Sequence, residues 1–117
     1  MEPIHRSEFV RLLKESLPEA NPYLEGNRLN LTAQMMALGE LAQAAIDSQD
    51  SSLVRRVFMF SESMFARGNA EVRNALVVTV LEHLSFDTDA GHQALKVFPD
   101  ALAKARAEAL DSLRLVH

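Results

Sequence analysis

Apolar residues between positions 53 and 84 recur at helical steps on both sides of one break, Gly68-Asn69. Leu53, Val54, Val57, Phe58, Ser61, Met64 and Phe65 follow one another at three- and four-residue spacing, which stacks them on one side of a 3.6-residue helix. Arg55, Arg56, Glu62 and Arg67 fall mostly outside that stripe. Gly68 is expected to end this helix in the left-handed conformation, and Asn69 to cap the next by accepting from its free backbone amides. In 70–84, Val72, Ala75, Leu76, Val77, Val78, Val80, Leu81 and Leu84 point almost all the way round. Such a helix is expected in the interior, as the most buried element, with Leu76, Val80 and Leu81 inaccessible and His83 partly buried on the same arc.

The rest of the chain reads as further helices. Ser7 is placed as an N-cap with Glu8 in the first turn, and the stripe Phe9, Val10, Leu12, Leu13 and Leu17 predicts a helix over 8–17, stopped by Pro18. Residues 18–30 are rich in turn formers, with Tyr23 and Leu24 pinning a short helical turn to the core. Leu31, Met35, Leu38, Leu41, Ala42, Ala45 and Ile46 predict a helix over 31–48. After the hairpin, 85–89 interrupts, and Asp89 is placed as the cap of a short helix reaching residue 98. The last helix, 100–115, presents Leu102, Ala105, Ala109, Leu110, Leu113 and Val116. The β-branched run Val77 to Val80 sits inside a helical pattern, so no strand is expected. The result is an all-α single domain over 1–117, a five- to six-helix bundle or a short stack of antiparallel helical hairpins. With the turn at Gly68-Asn69, Arg55 comes level with Glu82 and Glu62 with Asn74 or Ala75. An Arg55–Glu82 ion pair and a Glu62 contact with Asn74 or Arg73 are therefore expected.

Composition narrows the class. The 117 residues are 48% hydrophobic with a mean hydropathy of -0.04, ordinary for a globular domain with its own core. There is no cysteine, which removes disulfides, thiolate nucleophiles and thiolate metal sites. The opening MEPIHRSEF has neither a basic region nor an apolar run, so no signal peptide is read there. No apolar run approaches the roughly 20 residues that span a bilayer, so no membrane partner and a cytoplasmic location are expected. The formal charge is -4 with signs interspersed, and without a basic stripe no nucleic-acid partner is expected. Arg55, Arg56, Arg67 and Arg73 read as solvated rims of amphipathic helices rather than a phosphate-binding patch.

One polar cluster is worth weighing for chemistry: Glu82, His83, Asp87, Asp89 and His92. Carboxylates and imidazoles suit a zinc, iron or manganese site. The spacing, however, contains no HExxH, and the glycine after Asp87-Thr88-Asp89 comes too early for an EF-hand loop, which also lacks its closing glutamate. Asp87 and Asp89 are read as turn and cap residues; no catalytic residue, cofactor or metal ligand is assigned. Of Met35, Met36, Met59 and Met64, three are read as filling core gaps, and Met36 and Met59 are the two whose helical phase allows exposure. Met36 and Met59, with Arg55, Arg56 and Glu62, form the candidate partner-binding set. Two functions follow: a module that binds a protein partner, its acidic balance suited to covering a basic surface, or a small helical enzyme or metal-binding protein using segment 83–92.

The run Asn69-Ala70-Glu71-Val72-Arg73-Asn74-Ala75, followed by Leu76 and Leu81, resembles the second helix of a HEAT-type repeat. Val57, Phe58, Phe60, Glu62, Met64, Gly68, Asn69, Glu71, Val72, Asn74, Leu81, Glu82 and Leu84 resemble the core motif of a family of small uncharacterised bacterial helical domains. Its members often begin with an amphipathic helix ending in a step such as Leu17-Pro18-Glu19. The likeness covers about the first three quarters of the chain, and the alanine-rich last helix is less clearly part of the pattern. It implies a HEAT-like or bundle fold and a relationship to toxin-immunity proteins, and it carries no catalytic residue.

Overall fold

The apolar pattern of 31–47 produces the helix on which most of the others pack. The computed structural model describes residues 2–25 and 30–116. In it the chain forms α1 (Arg6–Ser16), a 3-10 helix (Pro18–Leu24), α2 (Leu31–Asp47), α3 (Ser51–Arg67), α4 (Ala70–Ala75), α5 (Asp89–Leu95) and α6 (Asp100–Val116). α4 continues through a π turn (Leu76–Val80) and a 3-10 turn (Leu81–His83), giving one helix over 70–83. With that helix counted once, the described residues form seven helices where five to six were expected, because the turn around Tyr23 is a helix of its own. The fold is all-α. Among the described residues the backbone departs from helix pairing at a single parallel bridge, between Ile4 and Gly68.

That bridge changes two local expectations. Ile4 N donates to Arg67 O (2.8 Å) and Asn69 N donates to Ile4 O (2.9 Å), which ties the chain start to the α3–α4 turn. The N-cap of α1 is consequently His5 rather than Ser7, with Glu8 Oε1 accepting from His5 N at 3.2 Å. Asn69 caps α4 as expected, its Oδ1 accepting from Val72 N at 2.9 Å. Gly68 is extended, at φ -69° and ψ 150°, not left-handed. Glycine is needed there for close approach: a Cβ would come within 2.5 Å of Met64 O and 2.8 Å of Val72 Cγ1. The left-handed residue is Gln49, at φ 57°, which closes α2 by donating to Ile46 O while Asp50 N donates to Ala45 O, both at 3.1 Å. This is a Schellman ending in which glutamine occupies the usual glycine position.

The most buried element is α2, which hides Met35, Ala37, Leu38, Leu41, Ala42, Ala45 and Ile46, not the 70–83 helix. The latter buries Val72, Leu76, Val80 and Leu81 almost completely but leaves Val78 46% exposed, so one side of this apolar helix faces out. Its wide turn coincides with Val77 to Val80, β-branched residues that crowd a regular helix. Beyond the wide turn the helical phase no longer follows the 3.6-residue count. His83 is exposed for that reason, while Leu81 and Leu84 turn inward.

Loop 84–88 returns to the core through Gln43, whose Oε1 accepts from Ser85 N (2.9 Å) and whose Nε2 donates to Ser85 O (3.1 Å). Thr88, not Asp89, caps α5, its Oγ1 accepting from Gly91 N at 3.0 Å. α6 then packs on both α3 and the end of the 70–83 helix. The Phe98 ring meets Phe58 at 5.0 Å and Phe86 at 5.1 Å. Arg106 donates to Leu81 O and Leu84 O, each at 2.9 Å, satisfying carbonyls at the end of that helix. No ion pair or hydrogen bond forms between Arg55 and Glu82, contrary to expectation, and Arg55 instead lines a cavity with Asp89 and Gln93 of α5. Nor does Glu62 bond to Asn74 or Arg73, whose guanidinium lies 4.7 Å from the Phe65 ring centre.

Leu76→Ala should cost about 2–5 kcal/mol through lost burial and an unfilled cavity, read from urea unfolding midpoints. A loss near zero would move Leu76 out of the core. Gln49→Gly should raise stability by about 0.5–1 kcal/mol, because the left-handed conformation costs a side chain about 1–2 kcal/mol and glycine's unfolded freedom offsets part of that. Thermal unfolding of the variant below the native chain would show the turn to be unstrained.

Candidate functional site

Thr32, Met36, Gly39, Glu40 and Gln43 lie three and four residues apart along α2, so the helix carries them on one face. The wide turn of the 70–83 helix stands opposite, with Val78, Thr79 and Val80, and His83 and Leu84 close the end. Between these walls runs a groove of about 480 Å³. Met36 is 47% exposed on one wall and Val78 46% on the other. Gly39 sits at the floor, where a Cβ would make only ordinary contacts, 3.8 Å to Thr79 O and to Val80 Cγ2. The missing side chain therefore leaves space in the groove rather than permitting helix contact. Gln43 is committed to Ser85 and Asp47, and Glu40 and His83 also line the groove. What the arrangement supplies is apolar area with polar groups at its margin, a composition suited to binding.

The residues singled out in the sequence disperse. Met36 and Met59 are both exposed, the latter at 69%, but they do not form one patch. Met59 lines a smaller groove, of about 320 Å³, with Leu12, Arg56, Ser63, Met64 and Arg67, between α1 and α3. Arg55 faces a separate cavity at the start of α3, and Glu62 is exposed. Arg56 reaches back to the 3-10 helix, where its guanidinium pairs with both Glu19 carboxylate oxygens and donates to Ser16 O at 3.2 Å. The hydrogen bond from Arg56 holds the Glu19 carboxyl below its ordinary value of 4.5, and Glu19 in turn raises the Arg56 guanidinium.

Segment 83–92 divides as well. His83 lines the groove with Met36, Asp89 lines the cavity with Arg55, and Asp87 and His92 are exposed. Among the described residues, no three His, Asp or Glu side chains gather closely enough to hold a metal ion. No helix there is long and apolar enough to cross a membrane. Sequence reasoning overlooked Gly39, Val78 and Thr79 as groove residues. A glycine within an apolar helix and a β-branched run within another were the available signals.

A family model described as a domain of unknown function, DUF7674, matches residues 10–113. The chain belongs to that family. The DUF7674 match begins within α1 and extends along α6, so the alanine-rich last helix is part of the family's domain. Neither a curated protein nor a solved structure matches the chain.

Because the folded Glu19 carboxyl releases its proton more readily than the unfolded one, the Arg56 pair stabilises the fold above about pH 4.5. That contribution is lost as pH falls through the lower folded value. The side chains are 42% and 39% exposed, so the effect is small. Glu19→Gln should lose less stability than the native chain in urea unfolding between about pH 5 and about pH 3. Equal losses in both proteins would show that the pair contributes nothing to acid sensitivity.

Proposed function

We propose that this chain is a protein-interaction module, its 70–83 helix being the HEAT-like element of the fold. Its docking surface is the groove between α2 and the wide turn. The observation that carries the proposal is the pair Met36 and Val78, each nearly half exposed on facing walls over a floor opened by Gly39. An apolar side chain from a partner seated there removes both from water, the main source of association energy. The flanking charge selects the occupant. α2 carries no basic residue, and the chain as a whole has a charge of -4. The partner segment is thus an apolar anchor flanked by lysine or arginine, and an immunity-type protein covering a basic toxin surface is the kind of function this serves.

The test uses a photoreactive residue at position 78 in the native cell. A partner that crosslinks there, fails to crosslink from exposed Lys14, and is lost with Met36→Glu and Gly39→Leu supports the reading. Identical recovery from both positions and in both variants overturns it. Where the partner is a toxin, coexpression of the native chain restores growth and Met36→Glu does not.

A further inference from the structure

A second cavity, of about 580 Å³, opens where the end of α2, the start of α3 and α5 meet, and it shares no lining residue with the groove. Its floor is apolar: Ile46, Val54 and Ala94 are buried there. Polar side chains stand over that floor in two helical rows. Ser51 and Arg55 lie one turn apart on α3. Asp89 and Gln93 lie one turn apart on α5, and Lys96 follows at the next step.

Among the described residues, the charges in this cavity, like the side chains of Lys14, Arg67 and Lys104 elsewhere on the surface, are not used by the fold, whereas other cations are. Elsewhere, Arg6 pairs with Glu71, Arg11 with Glu8 and Glu15, and Arg56 with Glu19, while Arg73 lies over Phe65 and Arg106 binds two carbonyls. Among the described residues, the side chains of Arg55, Lys96 and Asp89 form no ion pair or hydrogen bond, although all three line one cavity. Cations thus stand on two walls, an anion stands on one of them, and hydrocarbon lies between. Inorganic phosphate would meet the Asp89 carboxylate and bring nothing to the floor. A purely apolar ligand would strip water from three charges without replacing it.

We infer that this cavity binds a small aliphatic zwitterion, an α-amino acid with a hydrocarbon side chain. Arg55, whose planar guanidinium grips a carboxylate with two parallel bonds, takes the ligand carboxylate together with Lys96. Asp89 takes the ammonium group. The hydrocarbon side chain covers Ile46, Val54 and Ala94. The cavity volume lies in the range of about 300–1,000 Å³ typical of small-molecule sites.

The test is titration of the full, isotopically labelled chain with L-leucine, followed by calorimetry and amide shifts. Hexanoate, hexylamine and inorganic phosphate serve as comparators. The expected result is saturable leucine binding with shifts confined to 46–55 and 89–97. Hexanoate and hexylamine each bind about tenfold more weakly, as does leucine to Arg55→Gln or Asp89→Asn, the cost of about one charge-assisted hydrogen bond. Both replaced side chains are exposed, so these variants unfold at the native temperature. Met36→Glu, in the other groove, leaves leucine affinity unchanged, which separates failure of this site from failure of the docking surface. Absence of saturable binding at millimolar leucine overturns the inference. So do shifts elsewhere, comparators that bind as tightly as leucine, or an affinity indifferent to Arg55→Gln.

Discussion

Burial of α2 is the constraint on which the other elements depend. α1, the 3-10 helix, α3, the 70–83 helix and α5 all pack on it, and Met35, Ala37, Leu38, Leu41, Ala42, Ala45 and Ile46 are almost completely removed from water. A close-packed interior leaves little freedom to the helices around it. The strip of α2 left uncovered, Thr32 to Gln43, is therefore held rigidly as one wall of the groove, while its far end supplies Ile46 to the floor of the second cavity. Both candidate sites are built on the same rigid element.

The irregular course of the 70–83 helix has consequences at both of its sides. Inward, the wide turn keeps Leu76, Val80 and Leu81 in the core. Outward, it presents Val78 and Thr79 to the groove. The tightened end leaves the carbonyls of Leu81 and Leu84 beyond regular helical bonding, and Arg106 supplies the donors. That arginine also lies over the Phe86 ring at 5.1 Å, so one side chain joins α6 to the helix end by hydrogen bonds and by stacking. α6 has no comparable packing on α2, and the Phe58–Phe98–Phe86 cluster together with Leu102 provides its apolar anchorage.

The two surfaces differ in what they offer. The groove presents apolar side chains on a chain of net charge -4, the match proposed for an anchor residue on a basic segment. The cavity presents separated charges of both signs over a small hydrocarbon floor, a match for a molecule that carries its own opposite charges. Neither arrangement requires Arg56 or Glu19, whose pairing fastens the 3-10 helix to α3 across 37 positions of sequence.

The sequence by itself determined the helices, because periodicity over three and four residues is a local property and so is capping by Asn69. It also determined that Leu76, Val80 and Leu81 go inward, whereas of the four methionines two rather than three fill the core, Met36 and Met59 being exposed. Of the candidate sites it supplied Met36 and Arg55 singly, but not the surfaces they belong to. Only the tertiary structure decided that α2 rather than the 70–83 helix is central, since both are rich in apolar residues and only packing partners distinguish them. It also decided the reason for Gly68, which lies in Met64 O and Val72 rather than in backbone handedness. His83 went to the surface because a wide turn shifted the helical phase that counting residues assumes. Arg55 does not meet Glu82 and instead lines a cavity with α5, remote from α3 in sequence. Each of these outcomes depends on contacts between segments far apart in the chain, which a periodicity of three or four residues does not encode.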